Sequence, residues 1–187
     1  MIETMDFTHI FLVGPRGAGK TTVGKLLGKR LLLPFEDTDA FLQHKEGRSV
    51  HEIVRCEGWS GFRLRESTTL RTVTNSMPHG GVIATGGGIV LDNGNCMFMR
   101  SHGTVFYLST PAEELAQRLA ASPLASQRPP LTGAPLLEEI TSVLAERHDL
   151  YCSVAHHIIS TSHSPSILCE EIATILLPPE HDDRTAK

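Results

Sequence analysis

Short apolar runs alternate along this chain with longer stretches of helical period. The runs lie at His9 to Val13, Leu33 to Asp37, Gly81 to Thr85, Thr104 to Leu108 and His157 to Ser160. Their brevity and apolar character predict strands covered on both faces. Helical patterns fall at Lys20 to Leu31, Ala40 to Lys45, Val50 to Arg55, Phe62 to Asn75, Pro111 to Ala121, Leu136 to Val154 and Pro165 to Leu177. Two of them open on proline, which suits a helical first turn. Strands alternating with helices predict an α/β fold around a mainly parallel sheet. No internal repeat is visible.

Residues Ala121 to Pro135 break the alternation with prolines and small polar residues. A surface linker is the ordinary reading. A stretch this long without secondary structure is uncommon inside a compact domain, however, and the single arginine among its prolines, Arg128, favours a mobile lid. The expected organisation is one domain over 1–177 with the lid at about 120–134. The tail, 178–187, has two prolines followed by polar residues and is expected to fray.

Composition narrows the function classes. The chain has 187 residues, 40% of them hydrophobic, enough for one substantial core. Its net charge is −4, from 17 basic and 21 acidic residues, which gives no general attraction to nucleic acid or anionic membrane. No apolar stretch has membrane-spanning length and the first residues are acidic, so the expected location is cytoplasmic. The 4 cysteines form no C-x-x-C pair and the 10 histidines no zinc-ligand spacing, so reduced thiols and no structural zinc are expected.

The candidate chemistry begins where the first strand ends. Gly14-Pro15-Arg16-Gly17-Ala18-Gly19-Lys20-Thr21-Thr22 fits G-x-x-x-x-G-K-[ST], with strand, loop and helix in the required order. Such a loop turns backbone N–H groups onto a phosphate chain, helped by the positive end of the helix. Lys20 then serves the outer phosphates as a point charge, and the Thr21 hydroxyl becomes a ligand to Mg2+.

The second predicted strand ends in two carboxylates, Asp37 and Asp39. At the carboxyl end of a parallel sheet they open onto the same crevice as the loop. Asp37 suits Mg2+, directly or through water, and Asp39 suits the proton of an acceptor hydroxyl. A competing reading makes Asp39 the N-cap of the helix beginning at Ala40. Gly86-Gly87-Gly88 stands where many phosphate-loop enzymes carry a metal-binding aspartate. The triplet either admits a substrate close to the backbone or forms a tight turn. No D-x-x-G or N-K-x-D sequence occurs, which argues against a GTPase switch. Arg63 and Arg147 fall on predicted helices. Each suits a surface ion pair, with Glu66 three residues beyond Arg63, or else a crevice, where Glu66 would orient Arg63. Two arginines and an aspartate in one crevice match a substrate with a carboxylate and hydroxyls.

Taken in order, the phosphate loop, Asp37-Thr38-Asp39, Gly61-Phe62-Arg63, Thr85-Gly86-Gly87-Gly88, Arg128-Pro129 and Arg147 before Tyr151 resemble the shikimate kinase family, most of all the second bacterial isoenzyme type. The likeness runs from about Phe11 to Leu177. It implies Mg2+-dependent transfer of the γ-phosphoryl group of ATP to the 3-hydroxyl of shikimate, a step of chorismate and aromatic amino-acid biosynthesis. It also implies a phosphate-loop fold of the nucleoside monophosphate kinase type, with five parallel strands in the order 2-3-1-4-5, in a monomer. Asp39, Arg63, Gly87 with its neighbours Gly86 and Gly88, and Arg147 would bind shikimate, and Thr21 and Asp37 would organise Mg2+. Catalysis would fall to Lys20, Asp39 and the lid residue Arg128, and adenine contacts to Arg118 and Pro165. Gluconate-type kinases and a non-catalytic nucleotide-binding protein of the same fold are the alternatives. Paired aspartates and two arginines disfavour the first; an intact lysine and carboxylate disfavour the second.

Overall fold

The computed structural model describes residues 9–121 and 135–177. The expected lid with Arg128, and the tail, lie outside the described residues. Five strands, β1 (His9–Val13), β2 (Phe35–Asp37), β3 (Val82–Ala84), β4 (Gly103–Ser109) and β5 (His157–Ser160), form one parallel sheet in the order β2-β3-β1-β4-β5. The helices are α1 (Lys20–Leu31), α2 (Thr38–Glu46), α3 (Val50–Asn75), α4 (Asn93–His102), α5 (Ala112–Ala120), α6 (Leu136–Val154) and α7 (Pro165–Leu176), with a 3-10 turn at Ile89–Leu91. Strand order and fold class match the expectation.

Side chains along β1 alternate between two cores, as the two-residue strand period requires. Ile10 and Leu12 join α1, α5 and α7 on one face; Phe11 and Val13 join α3, α4 and Tyr151 of α6 on the other. A smaller cluster of Leu42, Val50, Ile53 and Phe62 binds α2 to α3. An ion cluster backs it, with Arg65 reaching Glu46 at 2.8 Å and Glu57 at 2.7 Å, and Arg48 reaching Glu57 at 2.9 Å.

Register puts the chemistry on one edge. Asp37 pairs with Ala84, and Ala84 with Leu12, so β2, β3 and β1 end at one level. The carboxylates, the glycine triplet and the phosphate loop therefore leave the sheet side by side.

Three local features depart from expectation. Asp37, not Asp39, caps α2, accepting from the N–H groups of Asp39 and Ala40 at 3.0 and 3.1 Å. α3 runs on from Val50 to Asn75, but Gly58 at φ 72° interrupts it where the two helices were expected to be separate. α4 was not expected at all. Asn93, Gly94 and Asn95 read as turn residues, yet Asp92 caps the helix through Asn95 N–H at 2.9 Å, and Asn95 is buried against Arg71 and Ser67. Tertiary contact outweighs propensity there.

Leu32 ends α1 in the left-handed region at φ 57°, with its side chain 92% exposed. The bonds Leu33 N–H to Gly28 O and Leu32 N–H to Lys29 O close a helix end that glycine normally fills. Leu32→Gly relieves about 1–2 kcal/mol of backbone strain against a smaller entropy cost, so a net gain of up to about 1 kcal/mol is expected. A denaturant midpoint that rises at constant slope is the check.

Candidate active site

Between β1 and α1 the chain turns through Gly17 at φ 86° and Gly19 at φ 93°, conformations that L side chains rarely adopt. Gly19 caps α1 without a side-chain bond, and no acidic residue stands in the first turn, so the helix N-terminus faces the crevice without a competing carboxylate of its own. Lys20 is buried and lies back over the loop, donating from Nζ to Gly14 O at 2.7 Å and Pro15 O at 2.8 Å. The Thr21 hydroxyl donates to Asp37 Oδ2 at 2.6 Å, bringing the two expected metal ligands together. Asp37 Oδ1 is meanwhile occupied with capping. A hydroxyl and a carboxylate oxygen beside a phosphate loop are hard oxygen donors of the kind Mg2+ takes, so these residues fit the ion.

This phosphate crevice is lined by Arg16, Gly17, Gly19, Lys20, Thr21, Thr22, Asp37 and Asp39, and on its far side by Arg118. Arg118 joins the phosphate loop to the segment before α7, donating to Gly17 O at 3.5 Å and Thr161 O at 3.0 Å, with Glu114 at 2.9 Å. Pro165 is the first residue of α7 and lines neither this crevice nor its neighbour.

A second cavity adjoins the crevice, and Arg16, Asp39, Gly87 and Leu119 line both. Its polar end is built by Asp39, Arg63, Glu66, the glycine triplet, Arg147 and Tyr151; Val50, Trp59, Phe62, Ile140 and Val143 form apolar walls. Arg63 Nη1 bonds Glu66 Oε2 at 2.5 Å, with side-chain exposures of 24% and 3%. The guanidinium also lies over Trp59 and Phe62, with ring centroids at 5.5 and 5.3 Å. A pair three residues apart on one helix is thus a cavity wall rather than a surface bridge.

The glycine triplet meets a demand for space. A Cβ at Gly88 would overlap the Arg63 guanidinium, and one at Gly86 would overlap the Glu66 carboxylate and stand 2.8 Å from Asp39 Oδ1. Three side chains from α2 and α3 therefore press onto the backbone of the turn, and any other residue at Gly86 or Gly88 would displace them.

Arg147 is 8% exposed, and Nη1 donates to Gly87 O at 3.3 Å. It forms no ion pair among the described residues, and its Nε has no hydrogen-bond partner there. A buried guanidinium in that state is costly unless an anion joins it. Tyr151, one turn further along α6, also donates its hydroxyl to Gly87 O. Burial pushes its phenol pKa above the usual tyrosine value, and the nearby Arg147 charge offsets this only in part, so the group stays a donor. Apart from Arg128, every expected site residue other than Pro165 thus lies in or beside two adjoining cavities. Tyr151 and the apolar walls had no assigned role; the one sequence signal for Tyr151 is its place four residues after Arg147.

A sequence profile described as shikimate kinase matches residues 16–177. The chain is 53% identical to shikimate kinase 2 of Dickeya chrysanthemi, over 90% of this chain and 96% of that protein. It is 52% identical to shikimate kinase 2 of Syntrophotalea carbinolica, over 89% and 95%. Among solved structures, shikimate kinase from Acinetobacter baumannii in complex with shikimate superposes with a TM-score of 0.84 at 37% identity, covering 91% of this chain and 93% of that one.

Proposed function

This chain belongs to the shikimate kinase family, and we propose that its two adjoining cavities hold ATP and shikimate for transfer of the γ-phosphoryl group to the 3-hydroxyl. The observation that carries the assignment is Arg147, a buried cation without an anionic partner among the described residues, in a cavity that also holds Arg63 and Asp39. Arg147 and Arg63 pair with the substrate carboxylate, and Asp39 accepts from its hydroxyls.

Asp39 lines both cavities, so it stands where the acceptor hydroxyl meets the phosphate donor and can take the hydroxyl proton as transfer proceeds. Lys20, Arg16 and the N–H groups of the loop hold the phosphates and oppose the charge spread over the transferring group, which is the larger share of catalysis in a loose transition state. Thr21 and Asp37 would hold Mg2+. When bound, that ion neutralises charge on the outer phosphate oxygens. Leu119, Phe62 and Trp59 keep water from competing with the acceptor hydroxyl. Arg118, tied to both the loop and Thr161, supports the adenine end of the nucleotide. The reading describes a monomeric cytoplasmic enzyme acting on a small molecule in aromatic amino-acid biosynthesis.

A coupled assay with ATP against shikimate, gluconate and AMP tests it. Turnover with shikimate alone is expected, lost on chelation of Mg2+. Preference for gluconate or AMP, or no turnover with any of the three, would overturn the assignment.

A further inference from the structure

All three carbonyls of the glycine triplet are engaged within the chain. Gly86 O accepts from Ile89 N–H at 3.2 Å, Gly88 O accepts from Leu91 N–H at 3.1 Å, and Gly87 O takes both the Tyr151 hydroxyl and Arg147 Nη1. A carbonyl oxygen offers two lone-pair directions, so Gly87 O is saturated. The planar peptide to Gly88 is then held, with its N–H directed opposite to the carbonyl. What the turn can still offer the acceptor cavity is its N–H groups.

The two donors to Gly87 O differ in their other duties. The Arg147 guanidinium lines the acceptor cavity, where it is the group best placed to meet a carboxylate. Tyr151 lines the same cavity but is fully buried and carries no charge to pair with a carboxylate. Its ring stacks on Tyr107 at 4.9 Å between centroids and 22° between planes, which fixes where the hydroxyl can point.

We propose that Tyr151 is a positioning residue for the acceptor: its hydroxyl anchors the Gly87 peptide, so that Arg147 can give up its longer bond to the same carbonyl, 3.3 Å from Nη1, when the guanidinium takes the carboxylate of the substrate. The inference rests on the shikimate reading of the cavity and specifies how its carboxylate end is set. Without the hydroxyl, Arg147 is the one remaining side-chain donor to Gly87 O among the described residues, and that bond then competes with the substrate carboxylate for the guanidinium.

Tyr151→Phe keeps the ring and its stack and removes only the donor. Trp59, the single tryptophan, lines the cavity and gives a direct fluorescence readout of shikimate binding. We expect shikimate affinity and KM to weaken by roughly tenfold, the size of one lost hydrogen bond, with the KM for ATP within about twofold of the parent. Thermal melting of the same variant establishes that it is folded. In an Arg147→Lys background the effect of Tyr151→Phe should shrink below about threefold, because the two residues act on one carbonyl. Unchanged shikimate affinity, equal weakening of both substrates, or full additivity with Arg147→Lys would overturn the proposal. A parent protein that fails to use shikimate would overturn the functional reading itself, a result separable from any of these.

Discussion

Replacing Asp39 by asparagine is expected to lower the turnover of shikimate by about two to four orders of magnitude while leaving ATP affinity nearly unchanged. The substitution is close to isosteric, and the start of α2 does not depend on the side chain it alters. Asp37 provides that cap, and Asp39 contributes only its backbone N–H to it. What is lost is a proton acceptor at the wall shared by the two cavities. Steady-state kinetics at saturating substrates and a nucleotide titration check both halves. Turnover within tenfold of the parent would remove Asp39 from the mechanism, and a large loss of ATP affinity would move it to the donor side.

Arg63→Ala should act on binding and on stability together. The substrate loses one of its two guanidinium partners, and the KM for shikimate is expected to rise by about a hundredfold, in line with a charge-assisted hydrogen-bonded pair. Glu66, with only 3% of its side chain exposed, loses the arginine bonded to it at 2.5 Å. With Arg63 24% exposed the pair is only partly buried, so its loss should cost about 1–3 kcal/mol, which a denaturation midpoint would register. Arg63→Lys separates the effects. It returns a charge to Glu66 and so recovers much of the stability, but a point charge does not restore the planar two-pronged contact, and the KM should stay high. If alanine left KM unaltered while the protein lost stability, Arg63 would be a structural ion pair and nothing more.

How much of this was legible in the chain depends on how far apart the interacting residues are. The phosphate loop is contiguous, and its strand, turn and helix announce one another, so it could be read directly. The Arg63 and Glu66 pair was also within reach, because three residues on a helix bring side chains together. Neither the cap of α2 nor the role of the glycine triplet was readable in the same way. Which of two nearby aspartates caps a helix depends on where β2 stops, and the strand stops at Asp37. The crowding that demands glycine at Gly86 and Gly88 comes from side chains on α2 and α3, distant in the chain. Tyr151 escaped for the related reason that its partner is a backbone carbonyl 64 residues away. α4 was hidden by the turn-forming run Asn93-Gly94-Asn95, in which the burial of Asn95 against α3 outweighs the usual preference.

The ion cluster of Glu46, Arg48, Glu57 and Arg65 lies away from the reacting groups, yet it bears on how the substrate is selected. Together with the small apolar cluster beneath it, it cross-braces α2 to both sides of the Gly58 break in α3. Asp39 stands on the first of these helices and Arg63 on the second, so the brace sets the spacing between them. Lys20 opens α1 and Arg147 lies on α6, both outside that braced pair. A ligand that meets both Asp39 and Arg63 must therefore match a distance that is set outside the cavity it enters.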